Sequence, residues 1–210
     1  MKIILDKFGK RQFFKILMGE YKKPKEEERI FMFLDLKSST SIAEELGHLK
    51  YSQLIQDCFY DLNEVISAFD AEVYQYVGDE AVLSWSYKKG LANNNCIDLF
   101  FAFQRLLLSK SEFYQNKYNV LPEFKAGLHG GKLMVAEVGV VKKEIAYHGD
   151  VINTSARIQA ECNKYEVPIL ISEELLGEIK NKTNLVSRFL GDVLLKGKKE
   201  SVSIYTLEPN

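Results

Sequence analysis

The order of the apolar, polar and glycine-containing segments predicts an α+β protein, with helices on one face of a largely antiparallel sheet. Three observations carry this prediction. Short apolar runs recur along the chain, helical periodicity fills several of the intervals between them, and a Gly-Asp dipeptide joins two of the runs as in a β-hairpin. The 210 residues, 46% of them hydrophobic, suffice for one globular domain with a small appendage.

The first half of the chain predicts a buried strand, a long helical stretch and a hairpin, at residues 29–36, 37–70 and 72–86. Ser39 and Thr40 offer N-cap oxygens at the start of the helical stretch, and we expect Gly47 to divide it in two. In the hairpin, Gly78 supplies the positive φ that a tight turn requires, and Asp79 tolerates such turns by bonding its own backbone.

The second half predicts a long helix at 93–118, a strand continuing into a second one at 124–139, and a partner strand at 142–149. It then predicts a helix at 150–162, a strand at 167–172, a short helix at 173–180 and a final hairpin at 187–208. Asp150 is a candidate N-cap for the helix that it begins. Together the elements predict a ferredoxin-like βαββαβ sandwich with appended β-strands.

Charge divides the chain into two parts. Residues 1–29 hold nine Lys and Arg against five acids, a net charge of +4, and because the whole chain carries −1, residues 30–210 carry −5. We therefore expect a basic, aromatic connector helix and linker at 1–29, followed by the globular domain. The connector is interpreted either as an amphipathic helix that docks on protein or as a juxtamembrane helix, which leaves an upstream membrane or sensor segment open.

Composition excludes several classes of function. A nearly neutral chain argues against a dedicated nucleic-acid binder. Cys58, Cys96 and Cys162 are widely spaced and form no CxxC or Cys/His cluster, which excludes a disulfide framework and a structural zinc site. No apolar run approaches the ~20 residues that span a bilayer, and no signal peptide opens the chain. We expect a cytoplasmic protein, or the cytosolic portion of a membrane-associated one.

Two aspartates are candidates for a metal site. Asp35 closes a buried strand and Asp79 occupies a hairpin turn, and these strands are neighbours in a split βαβ sheet, so that the carboxylates could converge. Such oxygen ligands suit Mg²⁺ or Mn²⁺ bound jointly with substrate phosphates. The stretch Ser38-Ser39-Thr40 would place backbone N–H groups at a helix N-terminus, where phosphate is favoured. Each of these residues alone also has a purely structural explanation.

Five segments in register resemble the catalytic domain of the class III nucleotidyl cyclases: FMFLDLKSSTSIAEELG, YVGDEAVLSW, AGLHGGKLMVAEVG, YHGDVINTSARIQAEC and LKGKKESVSIYTL. They occur in the family's order, and the resemblance covers residues 30–207, nearly everything but the N-terminal segment. The resemblance implies an enzyme of signal transduction that converts a nucleoside triphosphate to the 3′,5′-cyclic nucleotide and pyrophosphate. It also implies two Mg²⁺ or Mn²⁺ ions per active site and a head-to-tail homodimer with shared sites.

The resemblance assigns roles to individual residues. The implied metal ligands are Asp35, Asp79 and the carbonyl of Leu36. Asn153 and Arg157 match the pair that orients the ribose and stabilises the pentavalent phosphorus, and Lys196 matches a lysine that contacts the triphosphate. One subunit contributes the aspartates and the other contributes the Asn, Arg and Lys. The chemistry agrees, because residues i and i+4 share a helix face and an Arg fork suits charge that builds on phosphate oxygens.

The two positions that usually read the nucleobase depart from the family's pattern. Gln75 stands where adenylyl cyclases commonly have Lys and guanylyl cyclases have Glu, and Ala146 stands where Asp or Thr is common. A Gln amide both donates and accepts, so Gln75 suits adenine or other base edges, whereas Ala146 offers no side-chain hydrogen bond. ATP is the expected substrate, and GTP or a pyrimidine nucleotide stays open.

Other classes of protein fit less well. A diguanylate cyclase would need Gly at Val77 and Phe at Ala81. The stretch 127–133 is one residue short of a P-loop and has Leu133 in place of Ser or Thr, and no GxGxxG supports a Rossmann domain. From a different class, a non-catalytic dimerisation or sensing module of the same fold remains the alternative.

Overall fold

The computed structural model describes residues 18–141, 143–180, 185–194 and 200–210. The strands in these residues are β1 Lys25–Leu36, β2 Glu72–Val77, β3 Glu80–Ser86, β4 Phe124–Val138, β5 Glu144–His148, β6 Ile169–Ser172, β7 Leu185–Val193 and β8 Val202–Pro209. The α-helices are α1 Ser39–Ile66, α2 Tyr87–Leu91, α3 Asn95–Ser109, α4 Ser111–Tyr118, α5 Asp150–Tyr165 and α6 Glu173–Glu178.

The strands form one mixed sheet in the order β2-β3-β1-β4-β6-β8-β7, and β5 pairs with β4 off this path. Strand β1 is antiparallel to both β3 and β4, and the pairing of β4 with β6 is parallel. The remaining pairs are antiparallel. The predicted α+β, ferredoxin-like sandwich with appended strands is therefore confirmed.

Helices cover both faces of the sheet, and the prediction that they share one face is wrong. Along β1, Ile30 and Met32 pack in the core formed with α1 and α3, whereas Phe31 and Phe33 pack in a second core with Val151 of α5. All four β1 side chains are buried. A strand that is apolar on both sides has to be covered on both sides, and the second cover is α5.

Helix α5 lies unusually close to β4 at Gly127. A Cβ atom built on Gly127 would lie 2.2 Å from the backbone nitrogen of Gln159 and 2.5 Å from its Cα. Only a residue without a side chain permits this separation between a helix and a strand. The close approach brings α5 against the middle of the sheet, next to the carboxyl end of β1.

Helix α1 confirms one expectation and corrects another. Gly47 has φ 71° and ψ 163° inside the helix, which divides it in two as expected. The N-cap is Ser38, in the left-handed conformation at φ 57° and without a side-chain capping hydrogen bond. Ser39 and Thr40 are the first helical residues, so the prediction that they supply the cap is wrong.

Three other boundaries differ from the predictions. The long helix expected at 93–118 is the pair α3 and α4, which meet at Lys110 with φ −99° and ψ 15°. The segment expected to contain two strands at 124–139 is the single strand β4. The N-cap of α5 is Gly149, and Asp150 is instead the first helical residue, with its carboxylate accepting a hydrogen bond from the Thr154 hydroxyl at 3.2 Å.

The sheet reaches into the segment that the charge pattern assigns to a linker. Strand β1 begins at Lys25, and the buried Tyr21 accepts a hydrogen bond at its carbonyl from the Glu137 amide at 2.9 Å. The expected connector helix falls mainly on residues 1–17, which lie outside the described residues. The division of the chain at residues 29 and 30 stays a prediction. None of the described helices is long and apolar enough to cross a membrane.

Candidate active site

The two aspartates singled out in the sequence lie together at one edge of the sheet, meaning the side where the central strand β1 ends beside the turn that joins β2 and β3. Asp35, next to the end of β1, pairs in register with Glu80, the first residue of β3. Asp79 precedes Glu80 in the turn, where Gly78 has φ 60°. Burial is the largest cause that raises the pKa of Asp35, and the negative charge of Asp79 raises it further, as expected for carboxylates that are close together. The convergence that pairing and turn chemistry predict is therefore present.

This edge of the sheet is crowded with carboxylates. Burial is the largest cause of the raised pKa of Asp35, opposed by Lys125, whose Nζ lies 3.0 Å from Oδ2, and by Gln159, whose Nε2 donates to Oδ2 at 3.2 Å. Burial and the charges of Asp35 and Asp79 raise the pKa of Glu80 to about 7. Both shifts disfavour ionised carboxylates here, and a bound divalent cation would reverse them.

The donor set fits a metal site that substrate completes. Within the described part of the chain, no group of three or more His, Cys, Asp or Glu is arranged to hold a metal ion. Mg²⁺ does not need such a cage, because it commonly takes one or two carboxylates together with waters and substrate phosphates. Asp35 and Asp79, with the adjoining carbonyl of Leu36, match that smaller set of hard oxygen ligands.

The N-terminus of α1 begins next to these aspartates. Ser38 makes no side-chain cap, so the first amides of the helix are not occupied by its hydroxyl. Burial, and then the charges of Asp79 and Asp35, raise the pKa of Tyr51, which lies on the same helix. An uncapped helix N-terminus beside a cation site is a favourable place for phosphate.

Helix α5 presents two chemically different faces. Its buried residues face the sheet: Val151, Thr154, Ser155, Ile158, Gln159 and Cys162. At 100° per residue, Asn153 and Arg157 lie roughly on the opposite side of the helix; Asn153 is exposed and Arg157 half-buried. Gln159 reaches Asp35 of its own chain, so Asn153 and Arg157 point away from that aspartate. One chain brings the metal candidates together but does not bring the Asn and Arg to them.

The two expected base-reading positions, Gln75 in β2 and Ala146 in β5, each lie next to a tyrosine, and these two tyrosines are in contact. The pairing of β2 with β3 shifts register between Val73 and Gln75, so that Gln75 pairs with Val82 and Tyr74 is an extra residue, as in a β-bulge. Because of this shift, the exposed Gln75 lies on the same face of the sheet as Val82. Ala146 is half-buried in β5. Rather than Gln75 and Ala146 themselves, their neighbours Tyr74 and Tyr147 are in contact, with ring centroids 4.8 Å apart.

Several residues at this site were not expected from the sequence, and one expected residue is not described. Lys196 lies outside the described residues, so its contact with the triphosphate stays a prediction. Lys125 is the register partner of Asp35 in β4, and correct strand pairing would have found it. Glu80 follows directly from the GDE turn. Gln159 and Tyr51 reach the site through tertiary packing, and no local pattern marks them.

Comparisons with known proteins identify similar sequences and similar folds. Adenylate cyclase 2 of Rhizobium meliloti (strain 1021) is 33% identical over 199 residues, 95% of this chain and 55% of that protein, so the chain spans about half of its relative's length. A bacterial light-regulated adenylyl cyclase superposes with a TM-score of 0.84 at 19% identity, over 99% of this chain and 60% of that one. The adenylyl cyclase CyaB from P. aeruginosa gives 0.77 at 17% identity, over 90% and 97%. The two structures show the same fold.

The family comparison covers nearly the whole described chain. The model of the adenylate and guanylate cyclase catalytic domain matches residues 21–209, from the buried Tyr21 to the last residue of β8. This range contains the sheet, both helical covers and the aspartate pair, and it includes all five segments on which the resemblance rests. The chain therefore belongs to the adenylate and guanylate cyclase catalytic domain family.

Proposed function

We propose that this chain is a nucleotidyl cyclase that converts a nucleoside triphosphate, preferentially ATP, to the 3′,5′-cyclic nucleotide and pyrophosphate at sites shared by two copies of the chain. One observation carries the proposal. The carboxylate pair of Asp35 and Asp79 lies at one edge of the sheet, whereas Asn153 and Arg157 face away from it on the outer side of α5. A head-to-tail dimer would bring the two halves together.

Asp35, Asp79 and the Leu36 carbonyl would hold the cations in this reaction. Two divalent ions, Mg²⁺ or Mn²⁺, would lower the pKa of the ribose 3′-hydroxyl and neutralise charge on the departing pyrophosphate. Lys125 sits 3.0 Å from Asp35 and is largely buried, so it would orient that carboxylate and add positive charge beside the phosphates. The first amides of α1 would hold phosphate oxygens.

The second subunit would contribute the groups that act on the α-phosphate. Its Arg157 would donate hydrogen bonds to the equatorial oxygens as charge builds on them, and its Asn153 would orient the ribose for in-line attack by the 3′-hydroxyl. The two side chains can act together because they lie one helical turn apart on the same face. Asn153 is exposed and Arg157 is only half-buried, which leaves both available to a second chain.

The identity of the base is the second question. ATP is proposed because the relative with 33% identity is named an adenylate cyclase. Gln75 offers both a donor and an acceptor from an exposed position, and Ala146 adds no side-chain hydrogen bond. The same amide would suit guanine or a pyrimidine, so guanylyl or pyrimidine cyclase activity is the second candidate.

The first test assays purified protein with Mn²⁺ and each of ATP, GTP, CTP and UTP. We expect pyrophosphate and the cyclic nucleotide in equal amounts, with ATP giving the highest kcat/KM. If another nucleotide gives the highest kcat/KM, that nucleotide replaces ATP as the proposed substrate, and the proposed cyclase reaction still stands. Absence of both products with all four nucleotides would instead favour a non-catalytic dimerisation module.

The second test examines the shared site by mixing inactive variants. Asp79→Asn and Arg157→Ala homodimers should each lose at least ~10²-fold in rate, the usual cost of one preorganised charge contact. In a mixed dimer both lesions fall in one site and the other site is intact. Random exchange makes about half the dimers mixed, each with one good site of two, so about a quarter of wild-type activity should return.

The matched control mixes Asp79→Asn with Asp35→Asn. Both changes lie in the half-site that the same subunit contributes, so a mixed dimer of these two has no intact site. Subunit exchange is followed in both mixtures with two fluorescent labels. Recovery in the control, or no recovery in the test mixture after complete exchange, would refute the shared site.

A further inference from the structure

Two tyrosines from distant strands meet on the face of the sheet that α5 covers. Tyr74 of β2 and Tyr147 of β5 have ring centroids 4.8 Å apart at an interplanar angle of 66°. In the sheet order, β3, β1 and β4 separate these two strands. The rings can touch only because the β4–β5 hairpin folds back over the sheet. The contact between Tyr74 and Tyr147 therefore holds the β4–β5 hairpin against β2.

The contact between Tyr74 and Tyr147 lies against buried residues of β1. The Tyr147 ring packs edge-on against the buried Phe31, with centroids 5.2 Å apart, and the Arg29 guanidinium lies 5.1 Å from its centroid. Arg29 is itself buried and donates to Glu72 at 2.8 Å and to Ser84 at 2.9 Å. Aromatic and cation–π contacts of this kind are directional, so they define where the Tyr147 ring can lie.

Tyr74 also has a particular place in its strand. It is the extra residue of the β2 bulge, which turns Gln75 to the face shared with Val82. A bulge of this type re-aims the side chain next to it. Fixing Tyr74 thus fixes the direction of Gln75.

We propose that Tyr74 and Tyr147 are positioning residues for the nucleobase. Each is the chain neighbour of one base-reading position, so their contact sets how far Ala146 lies from Gln75 and how Gln75 is aimed. This inference rests on the proposed function. It assigns base selectivity partly to two tyrosines that need not touch the nucleotide, whereas the phosphate end of the site depends on Asp35 and Asp79 at the edge of the sheet.

The test compares Tyr74→Leu, Tyr74→Phe and the control Phe189→Leu. Phe189 pairs with Tyr205 between β7 and β8 at 5.3 Å, a similar interstrand aromatic contact that joins strands carrying none of the proposed base-reading residues. Two readouts are taken: the ratio of kcat/KM for ATP to that for GTP, and hydrogen exchange of the amides at 144–148 without nucleotide. Wild-type exchange provides the reference.

Tyr74→Leu should change the ATP-to-GTP ratio and raise exchange at 144–148, each by roughly two- to tenfold, the range of one aromatic contact. Tyr74→Phe keeps the ring contact and removes only the hydroxyl, so both readouts should stay within about twofold of wild type. If Tyr74→Leu does not fold, Tyr74→Met, which also lacks the ring, takes its place with the same expected changes. Phe189→Leu should leave the ratio and the exchange at 144–148 unchanged.

Two results would overturn the inference. If exchange at 144–148 rises while the ratio stays constant, the tyrosines hold the hairpin but do not position the base. If neither readout moves, the contact does not hold the hairpin. An inactive wild-type protein would be a different failure, because it would refute the proposed function before any variant is compared.

Discussion

Replacing Gly127 with alanine is the sharpest test of how α5 is placed. The new Cβ would lie 2.2 Å, 2.5 Å and 2.6 Å from the N, Cα and Cβ of Gln159, where ordinary van der Waals contact begins near 3.4 Å. Two of the three atoms are helix backbone, which cannot rotate out of the way. The helix and the strand must therefore separate by about 1 Å, because a packed interior has no free space to absorb the methyl group.

The structure sets the size of the effect. Overpacking of this kind costs about 1–3 kcal/mol. For a chain of this length each kcal/mol lowers Tm by about 2–4 °C, so Tm should fall by about 2–12 °C. The same displacement loosens the 3.2 Å hydrogen bond from Gln159 to Asp35 and moves Arg157 on the same helix. A misplacement of about 1 Å can cost ~10²-fold in rate, so turnover should fall more steeply than stability.

The assay is thermal unfolding together with pyrophosphate release, and Gly177→Ala is the control. Gly177 lies in α6, and a Cβ there would meet no atom within 4 Å. Alanine is favoured over glycine in a helix by about 1 kcal/mol, so Tm of the control should stay the same or rise slightly, with activity unchanged. A Gly127→Ala protein with wild-type Tm and turnover would refute the close packing of α5 against β4.

Two further predictions concern single carboxylates. Asp35→Asn should lower turnover at least ~10²-fold at saturating Mn²⁺ while the circular dichroism spectrum stays native, and near-normal turnover would contradict the metal assignment. Asp57 accepts from Lys117 at 2.7 Å and Tyr118 at 2.6 Å, and although burial raises its pKa, these bonds outweigh burial and lower it. A carboxylate whose pKa is lower in the folded protein stabilises the fold at pH values above its unfolded pKa, near 3.8. This stabilisation is lost as the pH falls and the carboxylate is protonated. The difference in Tm between wild type and Asp57→Asn should therefore shrink below about pH 4. A gap that is independent of pH would show that this pairing is not what stabilises the junction of α1 and α4.

Local sequence features determined much of the fold and the first half of the site. The Gly78-Asp79 turn, the helix break at Gly47 and the strand ending near Asp35 follow from backbone preferences that act within a few residues. Pairing of adjacent antiparallel strands then brings Asp35 and Asp79 together, as expected. The i and i+4 spacing of Asn153 and Arg157 likewise required only a helix.

Tertiary packing decided the features that no local pattern carries. Whether α5 covers the same face as α1 depends on which side of β1 is left apolar after the first core has formed, and β1 is apolar on both sides. The capping expectations failed at Ser39, Thr40 and Asp150 because cap geometry depends on the φ and ψ of the preceding residue, which the surrounding fold imposes.

The same distinction separates the parts of the site. Lys125 and Gln159 reach Asp35 through strand register and helix docking, and Tyr147 meets Tyr74 because the β4–β5 hairpin folds over three intervening strands. Side-chain type and spacing along the chain determined which chemistry this protein carries, because those properties are local. The partners that tune and position that chemistry were decided only when distant segments packed, because close packing in a core is a property of the whole structure.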